Sequence, residues 1–200
     1  ARACALSPSG SVSPRSDTVW STPSSTTSST ASLTSIAVSR SNTPAIVAAG
    51  YLADPEVDRL TDDLLRRVDW NALVHRRGDR TLFRMARVDS AADDYGSHAD
   101  ADGWVGAWDM TAEQLTLYLL AAGHPEVDPE TARALWVGFD RPVGEFAGHR
   151  CVHEPGGTLF TYHFPLAFWP FGRDLQGTDW WHNAAEASAA SAAWCAAHAD

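Results

Sequence analysis

Lysine is absent from the sequence, and all 15 of its basic residues are arginines. Set against 25 aspartates and glutamates, they leave a formal net charge of −10 at pH 7. This excess of negative charge argues against binding to nucleic acids or to anionic membrane surfaces, because both attract basic proteins. We therefore expect neither partner, and a neutral ligand such as a sugar suits the charge better.

Cysteine is scarce, with three residues, Cys4, Cys151 and Cys195, far apart in the chain. An odd number at this spacing fits neither a disulfide framework nor a zinc site, although it allows one bridge. No apolar run reaches the length of a membrane span. The glycine motifs of nucleotide-binding proteins are missing as well. We therefore expect no cofactor and no metal.

Residues 1–44 differ in composition from the rest of the 200-residue chain. They are rich in Ser, Thr and Pro with little apolar periodicity, which predicts an irregular or disordered segment. An alternative is that they were read from a shifted frame of a GC-rich gene. Residues 45–200 then form one globular domain. Because the sequence neither begins with Met nor opens with a secretory signal, we expect a fragment of a longer protein.

Helix-start signals recur in the globular part. Asp54 and Asp128 each precede a proline and a glutamate, which predicts an N-cap followed by a helix. Residues 111–114 (TAEQ) resemble a capping box before an apolar helix. The alanine-rich residues 179–197 predict the last helix, whose small side chains allow close packing.

Turn and loop signals separate these helices. Gly78 and Asp79, between two short apolar stretches, predict a hairpin turn. Residues 89–107 and 140–157, with their Asp, Gly and Ser, are interpreted as loops. The overall pattern is helical, with long loops between the helices.

Two stretches combine carboxylates and tryptophans directly before an apolar helix: residues 103–113 (GWVGAWDMTAE) and residues 177–183 (GTDWWHN). Glycoside hydrolysis requires two carboxylates, and tryptophan faces can stack on sugar rings. A structural alternative stays open for each stretch. Asp109 and Glu113 would then favour the helix dipole, Asp179 would be an N-cap, and the tryptophans would pack in the core.

A metal site is a further alternative. His149, Cys151 and His153 alternate, so a strand would place them on one face as candidate ligands. The surrounding glycines instead predict a loop, and no fourth ligand is evident. We therefore do not expect this site to hold a metal.

Five blocks of the sequence resemble the glucoamylase-like family of carbohydrate-active proteins. Residues 157–164 (GTLFTYHF) resemble its G-x-L-F-x-H-Q-Y segment, and residues 174–183 (DLQGTDWWHN) resemble its D-x-x-G-I-D-Y-F-E-N segment. The other blocks, in the same order as in the family, are residues 67–70, 108–125 and 187–195. The resemblance extends over about residues 50–198.

This resemblance implies a partial (α/α)6 barrel, an all-α fold. It also implies inverting hydrolysis of a β-glucan, with β-1,2 linkages as in characterised relatives. Glu113 matches a candidate catalytic glutamate, and Asp179 matches a carboxylate in the sugar cleft. The remaining site residues implied are substrate-binding: Trp104, Trp108, Asp109, His163, Trp180, Trp181 and Asn183. A binding module without catalysis, or a truncated inactive remnant, remains an alternative.

The sequence departs from the family pattern at several positions. Tyr162 and His163 stand where the family has His and Gln, and Leu166 stands where it has a second His. His182 replaces the Glu after the aromatic pair. The family also extends beyond both ends of the globular part, so the barrel is expected to be incomplete.

Overall fold

The computed structural model describes residues 35–88, 98–154 and 156–199, with side chains described from Thr43 onward. Most of the predicted irregular segment, residues 1–34, lies outside the described residues. The first helix, α1 (Ser35–Leu52), crosses the boundary predicted between residues 44 and 45.

The described residues form seven helices and five strands. The helices after α1 are α2 (Pro55–Arg66), α3 (Trp70–Leu73), α4 (Leu115–Ala122), α5 (Pro129–Gly138), α6 (Leu159–Leu166) and α7 (Trp180–Ala197). The strands are β1 (Val74–Arg77), β2 (Arg80–Arg87), β3 (Trp104–Ala107), β4 (Val143–Phe146) and β5 (His149–Val152). Strands β1, β2 and β3 form one antiparallel sheet in that order, and β4 pairs with β5 in a second.

The predicted all-α fold is therefore wrong, and the chain is mixed α/β. The hairpin turn at Gly78 and Asp79 is confirmed, since it joins β1 to β2. Strand β3, however, lies in a stretch interpreted as a loop. It has only four residues and no alternation of apolar and polar side chains, so its strand character depends on pairing with β2 rather than on a local pattern.

The second hairpin replaces the loop predicted over residues 140–157. Its turn consists of Ala147 and Gly148, with φ of 52° and 82°, the backbone of a turn with two left-handed residues. Alanine rarely adopts a positive φ. The usual Asn-Gly or Asp-Gly signal is therefore missing from the sequence, which explains why this hairpin was not predicted.

Three helix starts are confirmed. The carboxylates of Asp54, Asp128 and Asp179 accept backbone N–H bonds at 2.8, 2.9 and 3.0 Å at the starts of α2, α5 and α7. The capping box is wrong, because α4 begins only at Leu115. The hydroxyl of Thr111 instead donates to the carbonyl of Asp140 at 3.0 Å, which holds this segment against the chain after α5.

The core has two parts. The larger part centres on β2 and α4, where Phe83 and Leu117 are fully buried. In the smaller part, α7 packs its small residues against β5 and α6, and Cys151 and Ala187 are buried there. Leu166 contacts both clusters. The close packing predicted for the alanine-rich helix is thus confirmed.

The end of α5 lies directly on β2. A Cβ atom added to Gly138 would lie 1.9 Å from the carbonyl oxygen of Thr81, so only glycine fits. Arg80 fastens the same junction. Its guanidinium donates to the carbonyl oxygens of Gly138 and Asp109, both at 2.7 Å, and lies 3.2 Å from the carboxylate of Asp140.

In the part of the chain that the structure describes, no helix is long and apolar enough to cross a membrane.

Candidate functional site

The start of α7 lies at one edge of an open cleft of about 380 Å³. Asp179 caps this helix through Oδ1, which accepts the backbone N–H of His182 at 3.0 Å. Its other oxygen, Oδ2, is 3.9 Å from the guanidinium of Arg173. One oxygen of the carboxylate therefore caps the helix, and the other faces the guanidinium of Arg173. The N-cap alternative is confirmed, and it coexists with a place in the cleft.

Strand β5 forms the opposite side of the cleft. Arg150 is exposed on this strand, whereas Cys151 and Val152 are buried. His182 and Thr178 complete the polar part of the wall. The cleft thus lies between a hairpin that the sequence did not predict and a helix that it did.

Asn183 connects these two sides. Its side chain is buried, with Oδ1 accepting the Val152 N–H at 2.6 Å and Nδ2 donating to the Val152 carbonyl at 3.1 Å. Both functional ends of the amide are therefore bound to the backbone of β5. This geometry favours a positioning role for Asn183 over the predicted direct contact with sugar.

Glu113 lies in the turn just before α4 and is partly exposed. Its neighbours Thr111 and Ala112 line a small enclosed gap of about 10 Å³ together with Trp180 and Asn183. The segment that carries Glu113 therefore packs against the first turn of α7. Asp179 lines the 380 Å³ cleft, whereas Glu113 is not among the residues that line it.

The other predicted residues of the upstream stretch lie at the three-stranded sheet. Asp109 pairs with Arg77 at 2.7 Å. The guanidinium of Arg84 lies over the ring of Trp104, 4.9 Å from its centre. Trp108 is buried. Arginine contacts therefore already occupy Asp109 and part of the Trp104 ring, and the burial of Trp108 favours packing over sugar contact.

The adjacent tryptophans of α7 differ sharply in exposure. Trp180 is 4% exposed and donates from Nε1 to Asp174 at 3.1 Å, and its ring meets Trp136 edge-on. Trp181 is 64% exposed. Of the pair, Trp181 alone presents a free ring face. His163, also predicted as substrate-binding, is exposed on α6 with Nε2 2.8 Å from the Ser188 hydroxyl.

A larger, mostly apolar groove of about 520 Å³ was not predicted. Trp136 and Phe171 line it with nearly parallel rings, 6.4 Å apart at an angle of 11°. Its charged lining residues are Arg133, Arg173 and Asp174. Part of this groove could be anticipated from the sequence, because Trp136 falls on the apolar face of α5. Phe171 reaches the groove only through the loop before α7.

Burial raises the pKa of two groups near the cleft, Tyr162 and Cys151. It raises the pKa of Tyr162 to about 12, and the phenol oxygen accepts the Glu154 N–H at 2.9 Å. Burial, with a smaller contribution from Glu186, also raises the pKa of the free Cys151 thiol. Both groups therefore stay protonated at neutral pH, so Cys151 is a poor nucleophile there.

The metal alternative finds no support in the geometry. His149 lies in β5 and its Nδ1 is 3.2 Å from Glu186, while His153 lies just beyond the strand. No group of three or more His, Cys, Asp or Glu that could hold a metal occurs among the described residues.

The cleft carries one carboxylate and two guanidinium groups, and these groups can form hydrogen bonds with sugar hydroxyls. Comparison with known families points the same way. Residues 106–200 match the family Glycoamylase, described as "Putative glucoamylase". The predicted resemblance to glucoamylase-like proteins is therefore confirmed for this part of the chain. The match covers a little under half of the chain. Searches of curated proteins and of solved structures gave no significant match.

Proposed function

We propose that this domain hydrolyses a β-glucan, with β-1,2 linkages as the first candidate, by an inverting acid/base mechanism. The observation that carries the proposal is the position of Asp179 at the edge of the 380 Å³ cleft within the glucoamylase-like part of the chain. The family supports a carbohydrate substrate. The linkage and the mechanism are our proposals.

Glu113 and Asp179 have different roles in the proposed mechanism. Glu113 protonates the leaving glycosidic oxygen, either directly or through a bound water, and Asp179 acts as base or holds a sugar hydroxyl. In inverting enzymes the two carboxyl groups stand roughly 6.5–9.5 Å apart so that a water fits between them and the sugar. A relay through water would allow a longer separation. The packing of the Glu113 turn against the start of α7 supports the pairing.

The aromatic contacts of the substrate are assigned by exposure. Trp181 presents an open ring face beside His182, which lines the cleft. Trp104, which lines a separate pocket at the three-stranded sheet, offers the part of its ring that Arg84 and Arg87 leave uncovered. We assign the sugar-stacking role to these two, and a packing role in the core to Trp108 and Trp180.

The test is release of reducing ends from linear β-1,2-glucan by the full chain. We expect Glu113→Gln and Asp179→Asn each to lower the rate by about 10²–10⁴-fold, the usual contribution of a general acid or base. Asparagine also caps helices well, so Asp179→Asn keeps the start of α7. Glu126→Gln, an exposed carboxylate near the end of α4, is the matched control and should be unaffected.

The anomeric form of the first product, followed by NMR, tests the stereochemistry. Inversion gives the α-anomer from a β-linked glucan, and a β-anomer would contradict the proposed mechanism. Unchanged rates in both carboxylate variants would refute their assignment.

A binding role without catalysis is the second candidate, and the 64% exposure of Trp181 favours it. A sugar platform needs no paired carboxylates. Binding of the glucan without turnover, lost in Trp181→Ala and retained in Glu113→Gln, would support this candidate over hydrolysis.

A further inference from the structure

The cleft beside Asp179 has the opposite charge balance to the chain as a whole. Two arginines, Arg150 and Arg173, and one aspartate line it, whereas the whole chain has a net charge of −10. A cleft lined by an excess of one charge attracts ligands of the other sign. A neutral glucan could accept hydrogen bonds from these guanidinium groups, but it would gain nothing from the excess of positive charge.

Arg150 is the more informative of the two arginines. It is exposed on β5, and its guanidinium has no hydrogen bond or ion pair within the described part of the chain. Its cross-strand neighbour in β4 is Glu145, yet the two side chains form no salt bridge in the structure. The guanidinium of Arg150 is therefore available to a ligand in the cleft.

Arg173 lies across the cleft in the loop before α7. One of its nitrogens donates to the Gly177 carbonyl at 2.9 Å, and another lies 3.9 Å from Asp179. These contacts fix the position of the guanidinium while its side chain stays 69% exposed. Arg173 is thus held in place and still open to the cleft.

We propose that this cleft binds an acidic sugar, with the sugar's carboxylate held by Arg150 and Arg173. A guanidinium matches a carboxylate with two parallel hydrogen bonds, which makes arginine well suited to this task. The hydroxyl of Thr178 and the ring of His182 supply polar partners for sugar hydroxyls. The cleft volume of about 380 Å³ falls in the range of small-molecule pockets, roughly 300–1,000 Å³.

This inference rests on the proposed function in one respect, since Asp179 belongs to the same cleft. It adds that the substrate carries a negative charge on the sugar unit that lies there. A glucan with a uronate unit is the simplest such substrate.

The experiment compares the binding of methyl β-D-glucuronide, methyl β-D-glucoside and acetate to the full chain by calorimetry at low salt. We expect the glucuronide to bind about tenfold tighter than the glucoside, as one charge-assisted contact would give, and the preference to shrink as salt screens the charges. Acetate should bind more weakly than the glucuronide, which separates an acidic-sugar site from a general anion site.

Variants of single arginines test which residues cause the tighter binding of the glucuronide. Arg150→Gln and, independently, Arg173→Gln should remove most of the difference between glucuronide and glucoside. Arg133→Gln, an exposed arginine that lines the apolar groove instead, should leave it unchanged. Circular dichroism checks that each variant is folded.

Several outcomes overturn the proposal: equal binding of the two glycosides, acetate binding as tightly as the glucuronide, no binding of the glucuronide, or a preference that survives loss of either arginine. Its failure is distinct from failure of the proposed function. Hydrolysis of neutral β-1,2-glucan without any preference for the glucuronide would remove the inference alone. Glucuronide preference without hydrolysis of any glucan would remove only the catalytic role.

Discussion

Arginine side chains are used differently in the three-stranded sheet and in the hairpin of β4 and β5. In the sheet, Arg77, Arg80 and Arg84 each pair with an aspartate, at 2.7 to 3.2 Å. In the hairpin, Arg150 has no such partner within the described residues. The guanidinium groups of the sheet connect segments that are far apart in sequence, while that of the hairpin faces open space in a cleft. The same residue type thus stabilises the fold in one region and is available for binding in the other.

The largest effect on stability is expected from a substitution that disrupts the packing of α5 on the three-stranded sheet. Gly138→Ala would place a methyl group against the carbonyl of Thr81, and the backbones of α5 and β2 would have to separate. We expect the free energy of unfolding, measured with urea, to fall by about 3 kcal/mol. Gly172→Ala, in the loop before α7, meets no atom within 4 Å and should change it by less than about 0.5 kcal/mol. Equal effects would show that the close approach is not needed.

A smaller effect is expected from a direct comparison of a paired arginine, Arg80, with an unpaired one, Arg150. Arg80→Gln removes a cation that two part-buried carbonyls and one carboxylate share. It should lower the unfolding free energy by about 2 kcal/mol, because hydrogen bonds to charged groups are among the stronger ones. Arg150→Gln should cost less than about 0.5 kcal/mol, because it breaks no hydrogen bond or ion pair among the described residues. Urea unfolding of both variants checks this, and a larger loss for Arg150→Gln would reverse the comparison.

The smallest effect concerns the start of α7, beside the hairpin. Asp179→Ala removes the acceptor of the His182 N–H and should lower the unfolding free energy by about 1 kcal/mol. Asp179→Asn keeps an acceptor at the same position and should change stability by only a few tenths of that. Thermal melting of both variants checks this. Equal destabilisation would mean that the negative charge of Asp179, rather than its capping hydrogen bond, makes the main contribution.

Local signals in the sequence were enough for several elements. Asp54, Asp128 and Asp179 cap their helices through neighbours only two or three residues away, so the sequence pattern contains the whole interaction. The hairpin at Gly78 and Asp79 is local in the same sense. The family segment, too, was found from blocks of adjacent residues.

Other features depend on contacts between distant residues. Strand β3 exists because β2 lies beside it, and Thr111 bonds to Asp140 instead of capping α4. The choice of Trp180 as a core residue and Trp181 as an exposed one follows from which side of α7 faces Trp136. The pairing of Arg77 and Arg84 with aspartates is equally non-local, and so is the lack of a partner for the Arg150 guanidinium among the residues that the structure describes. No single-sequence pattern distinguishes such arginines.

The amide of Asn183 also has a consequence for how copies of the molecule behave at high concentration. It forms hydrogen bonds with both the N–H and the carbonyl of Val152. These are the two backbone groups that a further strand paired with β5 would bond to at this position. A two-stranded sheet has two outer edges, and an uncovered edge invites pairing with the same edge of another molecule. At this point of β5 that position is already taken by the protein's own helix, which closes one route to aggregation.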